Sequence, residues 1–163
     1  MADEPTTALD VSIQAQIIAL LKKLCREHRT AVMLVTHDMG VIAETADRVA
    51  VMYAGRIAEI GPVRDVIKHA KHPYTKGLMG SIPSLGEVRG GRLAQIDGSM
   101  PRLTDIPQGC AFNPRCSQRG TRCLSERPDL MAAGASRAAC WLHERGGVGA
   151  PVPAQAGREL ADA

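Results

Sequence analysis

Residues 31–38 read AVMLVTHD, and this stretch decides the predicted fold. Its first six residues form a short, continuous run of mainly apolar side chains, which is typical of a strand covered on both faces by helices. His37 and Asp38 follow the run directly, so two polar side chains stand at its carboxyl end. The pattern predicts a buried strand of a parallel sheet.

Amphipathic and alternating patterns flank this strand. Apolar residues recur at helical spacing from Ile13 to Cys25, and Asp10 stands where that helix needs an N-cap. An Ala-Gly turn later joins two apolar runs into a hairpin. The order of elements indicates part of an α/β sandwich, which would need further strands and helices to cover the strand. The predicted bounds are 11–28, about 39–46 and about 63–70 for helices, 31–36 for the strand, and 48–53 with 56–60 for the hairpin.

The composition excludes several classes of protein. The chain has 163 residues, of which 45% are hydrophobic and 23% charged, so it is typical neither of disordered nor of membrane-spanning chains. No apolar stretch approaches the roughly 18 residues that span a bilayer, and no signal peptide pattern opens the chain, which predicts a cytoplasmic location. The net charge is +3, but the aromatic residues are one Trp, two Tyr and one Phe. These are too few for base stacking, so no nucleic-acid partner is predicted.

Six short motifs, taken in order and spacing, resemble the second half of the ATPase subunit of an ABC transporter. They are DEPTTALD at 3–10, THD at 36–38, ADRV at 46–49, GRI at 55–57, HPYT at 72–75 and SIP at 81–83. The last two, with the cysteine-rich C-terminal part, narrow the resemblance to the ATPases of oligopeptide and dipeptide importers. It covers about residues 3–143. It implies an α/β fold, the C-terminal part of a P-loop NTPase sandwich, followed by a cysteine-rich loop extension.

The resemblance implies functional roles for four polar residues. Asp3 matches the Walker B aspartate associated with Mg²⁺, and Glu4 matches the catalytic glutamate that orients or deprotonates the attacking water. Asp10 matches the D-loop aspartate that contacts the partner subunit, and His37 the switch histidine that hydrogen-bonds the γ-phosphate. Each also has a structural interpretation, as a solvated acidic pair, a helix cap or a structural histidine. The implied cofactors are ATP and Mg²⁺.

The resemblance also implies partners and a location. The partners are a second ATPase subunit and the transmembrane permease subunits of a peptide importer, with the chain peripheral on the inner face of the cell membrane. The sequence contains neither Gly-x-x-x-x-Gly-Lys-Ser/Thr nor Leu-Ser-Gly-Gly-Gln. Because the first of these motifs cradles the phosphates, we expect a truncated C-terminal fragment that is inactive alone.

Four cysteines form a second candidate site. Their spacing is C-x5-C-x6-C-x16-C, and they are Cys110, Cys116, Cys123 and Cys140. Four thiolates bind Zn²⁺ or hold a four-iron, four-sulfur cluster, whereas disulfides are not expected in a cytosolic chain. Zinc sites usually show more closely spaced pairs, and the resemblance implies an iron–sulfur cluster. Zinc and free thiols are the alternatives.

The surroundings of the cysteines lead to three further predictions. Nearby arginines are expected to lower the thiol pKa values and to offset the charge of a bound cluster. The four cysteines follow a region poor in periodic apolar residues, where little core can form, so the folding of about residues 108–143 is predicted to depend on a metal centre. Cys25, on the first helix, is predicted to be a small buried hydrophobe. The arginines concerned are Arg115, Arg119, Arg122 and Arg127.

These observations predict three segments. Residues 1–70 would be the C-terminal part of an ABC ATPase core, residues 71–145 a transporter-type extension with the four-cysteine motif, and residues 146–163 a disordered tail. The sequence leaves two functions as alternatives. One is the energising subunit of a peptide importer; the other is a cysteine-rich, metal-binding regulatory or interaction module that works without ATP.

Overall fold

A computed structural model describes residues 1–5, 9–82 and 95–144. Parts of the motifs at 3–10 and 81–83, and the predicted tail at 146–163, lie outside the described residues. The chain divides into two compact units, Met1–Asp47 and Arg48–Ala163. Across the described ranges, no helix combines the length and the apolar character that crossing a membrane requires.

The N-terminal unit contains two short parallel strands. β1 (Ala2–Asp3) pairs with β2 (Leu34–Val35), with Ala2 opposite Leu34. The helix α1 (Val11–His28) lies between them in the sequence, and α2 (Met39–Thr45) follows β2. Parallel strands need such a crossover connection, usually a helix. The predicted α/β class is therefore confirmed.

Helix α1 has the predicted bounds but not the predicted burial. The Asp10 carboxylate accepts a hydrogen bond from the backbone N–H of Ile13 at 2.9 Å, which caps the helix as expected. Ile18 is the buried residue of α1, whereas Leu20 on the predicted apolar face is 52% exposed. Cys25 is half-buried, so its predicted full burial is wrong. A two-stranded sheet offers too little surface to cover the helix.

The predicted strand at 31–36 is much shorter in the structure. Strand pairing is confined to β2, and Met33 and Val35 are 60% and 44% exposed. Backbone hydrogen bonds hold the two strands together; for example, the Ala2 N–H donates to the Met33 carbonyl at 2.9 Å. The expected cover on both faces is absent from the described part of this unit. An apolar strand stays exposed when the neighbouring strands and helices of a parallel sheet are not present.

The C-terminal unit contains a four-stranded antiparallel sheet. The predicted hairpin is confirmed, with Ala54 and Gly55 at positive φ values of 46° and 76° in its turn, as a tight hairpin of right-handed twist requires. Two strands that were not predicted complete the sheet, so residues 131–138 pair back onto the hairpin. The strands are β3 (Arg48–Tyr53), β4 (Arg56–Pro62), β5 (Met131–Ala133) and β6 (Ser136–Ala138). Their order in the sheet is β3-β4-β6-β5.

Short helices surround this sheet. The helix expected at about 63–70 ends at Lys68, and a further helix begins at Pro73, where proline fits because the first helical N–H needs no intrahelical partner. His72 precedes it and accepts a hydrogen bond from the Tyr74 N–H at 3.1 Å. The helices are α3 (Val63–Lys68), α4 (Pro73–Gly80) and α5 (Arg122–Ser125), with 3-10 turns at Asn113–Arg115 and Trp141–His143.

An aromatic cluster forms the core of this unit. The Tyr53 ring lies 4.6 Å from the Tyr74 ring and 5.3 Å from the Phe112 ring, centroid to centroid. Phe112 and Cys116 are buried in one cluster with Tyr53 and Ala58. Residues 108–143 therefore contribute to a hydrophobic core, which the sparse apolar pattern before the cysteines did not indicate. Local sequence patterns do not predict this packing, because Phe112 and Cys116 contact residues of the hairpin, which lie far away in the sequence.

A buried carboxylate links this sheet to the helices. Glu59 on β4 is 0% exposed and accepts backbone hydrogen bonds from Lys71 at 2.9 Å and from His72 at 2.8 Å. These two bonds fix the start of α4 against β4. The alternating pattern of the hairpin did not indicate this buried polar residue.

Candidate functional site

The ends of β1 and β2 bring the two predicted catalytic residues together. Glu4 follows β1 and His37 lies two residues beyond β2, at the same edge of the parallel pair. The His37 Nδ1 atom lies 2.9 Å from Glu4 Oε1, and the two side chains are 82% and 44% exposed. Residues 33 positions apart in the sequence thus form one polar pair that faces solvent.

The contact between Glu4 and His37 determines which ring nitrogen of His37 carries a hydrogen. An ionised Glu4 carboxylate only accepts hydrogen bonds, so His37 Nδ1 must then carry the hydrogen. Nε2 is left as an acceptor in the neutral ring and as a donor in the imidazolium. Glu4 also has a φ of 42°, in the left-handed region that few residues other than glycine adopt.

The other two predicted site residues have different surroundings. Asp3 is exposed at the end of β1, and within the described residues its carboxylate has no hydrogen-bond partner. Asp10 caps α1, and its described contact is with the first turn of that helix. Asp3 therefore lies at the same strand end as Glu4, its neighbour in the sequence. Asp10 acts as the cap of α1.

Asp38, which follows His37 directly, caps helix α2, a role that was not predicted from the sequence. Its carboxylate accepts from the backbone of Gly40 and Val41 at 2.8 and 3.1 Å, and from the Gln14 side chain at 3.0 Å. These hydrogen bonds, that from Val41 first, hold the pKa of Asp38 below its usual range. Asp38 thereby fixes the chain directly after His37. Its position just before a helix was the available signal.

Replacing Asp38 by alanine is expected to lower the free energy of unfolding by about 1 kcal/mol near neutral pH, the typical value of an N-cap. The carboxylate's contribution is present above its ordinary pKa of about 4 and is lost as the pH falls through the lower folded-state value. Urea unfolding at several pH values measures this. Asp47→Ala, at an exposed position without a described hydrogen bond, is the matched control. An equal loss in both variants would contradict the assignment.

The four predicted cysteines lie together in the C-terminal unit. Cys110, Cys116, Cys123 and Cys140 line one small cavity of about 10 Å³, close to the size that holds one water molecule. None of these four described cysteines is joined to another by a disulfide bond. The Cys110 N–H also donates to the Cys123 carbonyl at 2.9 Å.

The pKa values of Cys110, Cys116 and Cys140 are shifted in the direction opposite to the prediction. Burial raises the pKa of Cys110 to about 11 and that of Cys140 to about 12, and it also raises the pKa of Cys116. The neighbouring Arg119 lowers the pKa of Cys116, but less than burial raises it. Arg122 does not offset this burial, because its guanidinium stacks 3.6 Å from the Trp141 ring and pairs with glutamates.

The cysteine cluster meets only part of what a metal requires. Four thiols on one cavity are a donor set that zinc and iron–sulfur clusters both use. Within the described residues, however, no group of three or more His, Cys, Asp or Glu side chains is arranged to hold a metal ion. Binding would require the thiols to lose protons and to move. The donor chemistry fits a metal, whereas the described geometry does not.

The mixed α/β architecture is consistent with the C-terminal part of an ABC-type ATPase. The family described as "Oligopeptide/dipeptide transporter, C-terminal region" matches residues 58–123. The dipeptide transport ATP-binding protein DppD of Bacillus subtilis is 49% identical over 146 residues, covering 89% of this chain and 43% of the relative. A putative peptide import ATP-binding protein of Brucella ovis is 51% identical over 137 residues, covering 81% of this chain and 40% of the relative.

A third relative, the oligopeptide transport ATP-binding protein AppD of Bacillus subtilis, is 46% identical, covering 90% of this chain and 45% of its own length. The resemblance inferred from the motifs is confirmed: the chain is a relative of the ATP-binding proteins of oligopeptide and dipeptide transporters. It spans 40 to 45% of the length of these three curated relatives. The alternative of a metal-binding module without ATP has no support in these comparisons.

Proposed function

We propose that this chain supplies the C-terminal part of an ATP-hydrolysing subunit of a peptide importer. The observation that carries the proposal is the 2.9 Å contact between Glu4 and His37 at the ends of two parallel strands. The names of the relatives, which are peptide and dipeptide transport ATP-binding proteins, support the same role. In this proposal residues 1–70 belong to the ATPase core and residues 71–145 to the extension.

The residues at the strand ends suit the chemistry of ATP hydrolysis. Bound ATP and Mg²⁺ supply the phosphoryl group and the charge that neutralises its oxygens. Asp3 is an exposed carboxylate of the kind that holds Mg²⁺, and Glu4 is placed to orient a water molecule and to accept its proton. His37 uses Nδ1 towards Glu4, which leaves Nε2 for a phosphate oxygen. In the imidazolium form Nε2 donates a hydrogen bond to that oxygen.

The proposal includes partners and a location. Asp10 would contact a second ATPase subunit through the D-loop while it caps α1. Transmembrane permease subunits would hold the assembly at the inner face of the membrane. The support for these partners is the set of names of the relatives, which are transport or import ATP-binding proteins.

The chain by itself is expected to release no phosphate from ATP. Its sequence contains no Gly-x-x-x-x-Gly-Lys-Ser/Thr segment, and positioning with charge neutralisation supplies almost all of the catalysis in phosphoryl transfer. A phosphate-release assay on the purified chain, with Glu4→Gln as control, tests this. Release above background that disappears in the Glu4→Gln variant would contradict the prediction.

We also propose that the four cysteines hold a metal centre, as an iron–sulfur cluster, with zinc as the alternative. Their position around one cavity supports this proposal, since four cysteines are a donor set that both centres use. Protein purified without oxygen is expected to be brown, to absorb near ~400 nm, and to contain iron and sulfide in equal amounts. A colourless protein with one zinc per chain would contradict the cluster and favour a tetrahedral site.

Cysteine variants provide the controls for the metal test. Serine at Cys110, Cys116, Cys123 or Cys140 is expected to abolish the colour, because each removes one thiolate ligand. Cys25→Ser changes a half-buried cysteine in the other unit and is expected to leave the metal content unchanged. A protein that binds neither metal without oxygen would contradict the proposed centre.

A further inference from the structure

A second, larger cavity lies in the C-terminal unit beside the sheet. It has a volume of about 530 Å³, within the range of about 300–1,000 Å³ that is usual for small-molecule sites. Tyr53 and Phe112 line it with buried rings that meet edge to face at 86°. Ile57, Ala58 and Leu130 add further apolar surface. The cavity therefore offers a mainly apolar surface with an aromatic component.

The charged residues around this cavity are mostly positive. Arg56, Arg127 and Arg137 line it together with one carboxylate, that of Asp129, and all four residues are exposed. Among the described residues, none of the four takes part in a salt bridge. The three guanidinium groups are thus left without a paired carboxylate, which gives the cavity an excess of positive charge.

The arginines come from separate parts of the chain. Arg56 begins β4, Arg137 lies on β6, and Arg127 lies in the loop before β5. Arg137 donates to the Leu130 carbonyl at 3.0 Å, which holds its guanidinium against that loop. The remaining N–H groups suit carboxylate or phosphate oxygens, which a guanidinium binds with two parallel hydrogen bonds.

We propose that this cavity binds an organic anion in which a carboxylate or phosphate group is joined to an aromatic or apolar body. The anionic group would meet the arginines, and the apolar body would cover Tyr53 and Phe112. His72, which also lines the cavity, adds no charge near neutral pH, because burial lowers its pKa to about 4. The inference does not rest on the proposed ATPase role, since Glu4 and His37 belong to the other unit.

Calorimetric titration of the full chain tests this proposal with three probes of similar size. N-acetylphenylalanine presents a carboxylate and phenyl phosphate presents a phosphate, while N-acetylphenylalanine amide is the neutral isostere of the first. At least one of the two anions is expected to bind. If the site recognises the carboxylate, N-acetylphenylalanine amide is expected to bind about tenfold more weakly than N-acetylphenylalanine. The anion that binds with the higher affinity shows whether the site prefers a carboxylate or a phosphate group.

Arginine variants show where the anion binds. Arg56→Gln and Arg127→Gln are each expected to weaken anion binding about tenfold, the usual effect of losing a charge-assisted hydrogen bond. Arg64→Gln removes the same charge from an exposed position of α3 outside the cavity and is expected to leave binding unchanged. Circular dichroism checks that each variant is folded.

Three results would overturn the proposal. The first is no binding of either anion at about 10 mM, well above the dissociation constants of specific sites. The second is equal binding of N-acetylphenylalanine and its amide without binding of phenyl phosphate, which would show that charge is not recognised. The third is an equal loss of affinity in Arg64→Gln and the two cavity variants, which would indicate a general charge effect.

Discussion

Replacing Glu4 by glutamine is expected to lower ATP turnover at least about 100-fold in a subunit where this chain follows the N-terminal part of a curated relative, because general acid–base catalysis contributes about 100- to 10,000-fold. In the proposed function Glu4 accepts the proton of the attacking water, whereas glutamine keeps the size of the side chain but does not accept that proton. ATP binding is expected to persist, because the ATP-binding relative supplies the part of the subunit that this chain does not span. Steady-state turnover and equilibrium ATP binding measure the two effects separately.

His37→Ala tests the other half of the pair in the same subunit. In the proposed function His37 hydrogen-bonds the γ-phosphate, and the loss of that bond is expected to lower turnover by about 100-fold or more. Because Glu4 and His37 contact each other at 2.9 Å, the double variant is expected to lose less than the product of the two single effects. A loss of ATP binding equal to the loss of turnover would indicate a structural role for the pair.

Replacing Glu59 by alanine is expected to lower the free energy of unfolding by about 3 kcal/mol or more, since it leaves backbone N–H groups buried without an acceptor. The carboxylate is 0% exposed and accepts from Lys71 and His72. Glu59→Gln keeps one acceptor oxygen and is expected to lose less. Urea unfolding of the chain measures both changes.

Glu44→Ala is the matched control for Glu59. It removes a glutamate that is 73% exposed and paired with Lys22, so its loss is expected to stay below about 1 kcal/mol, as for other surface ion pairs. Similar losses at the two positions would show that Glu59 does not fix the start of α4 as described.

Local sequence patterns predicted the elements that depend on neighbours along the chain. The first helix, with its Asp10 cap, and the hairpin with its Ala-Gly turn are present because spacing and capping act within a few residues. The motif order also identified the family correctly, since the spacing of polar residues between elements is a property of the sequence.

Burial could not be predicted in the same way. The stretch at 31–36 is apolar, but Met33 is 60% exposed because no further strands or helices cover it within the described residues of its own unit. Conversely, Phe112 and Cys116 gave no periodic signal, yet they are buried against Tyr53 from the hairpin. The thiol pKa values follow from this burial, which is why the neighbouring arginines did not predict them.

The sequence by itself determined the α/β class, the long helix, the hairpin and the residue types at each candidate site. Only the tertiary structure decided which of these residues meet. It joined Glu4 to His37 across parallel strands and gathered four cysteines on one cavity. Around another cavity it placed three arginines that form no salt bridge with any described carboxylate. The physical reason is that helix caps and turns are set by bonds between near neighbours, whereas strand pairing, burial and charge clusters depend on residues far apart in the chain.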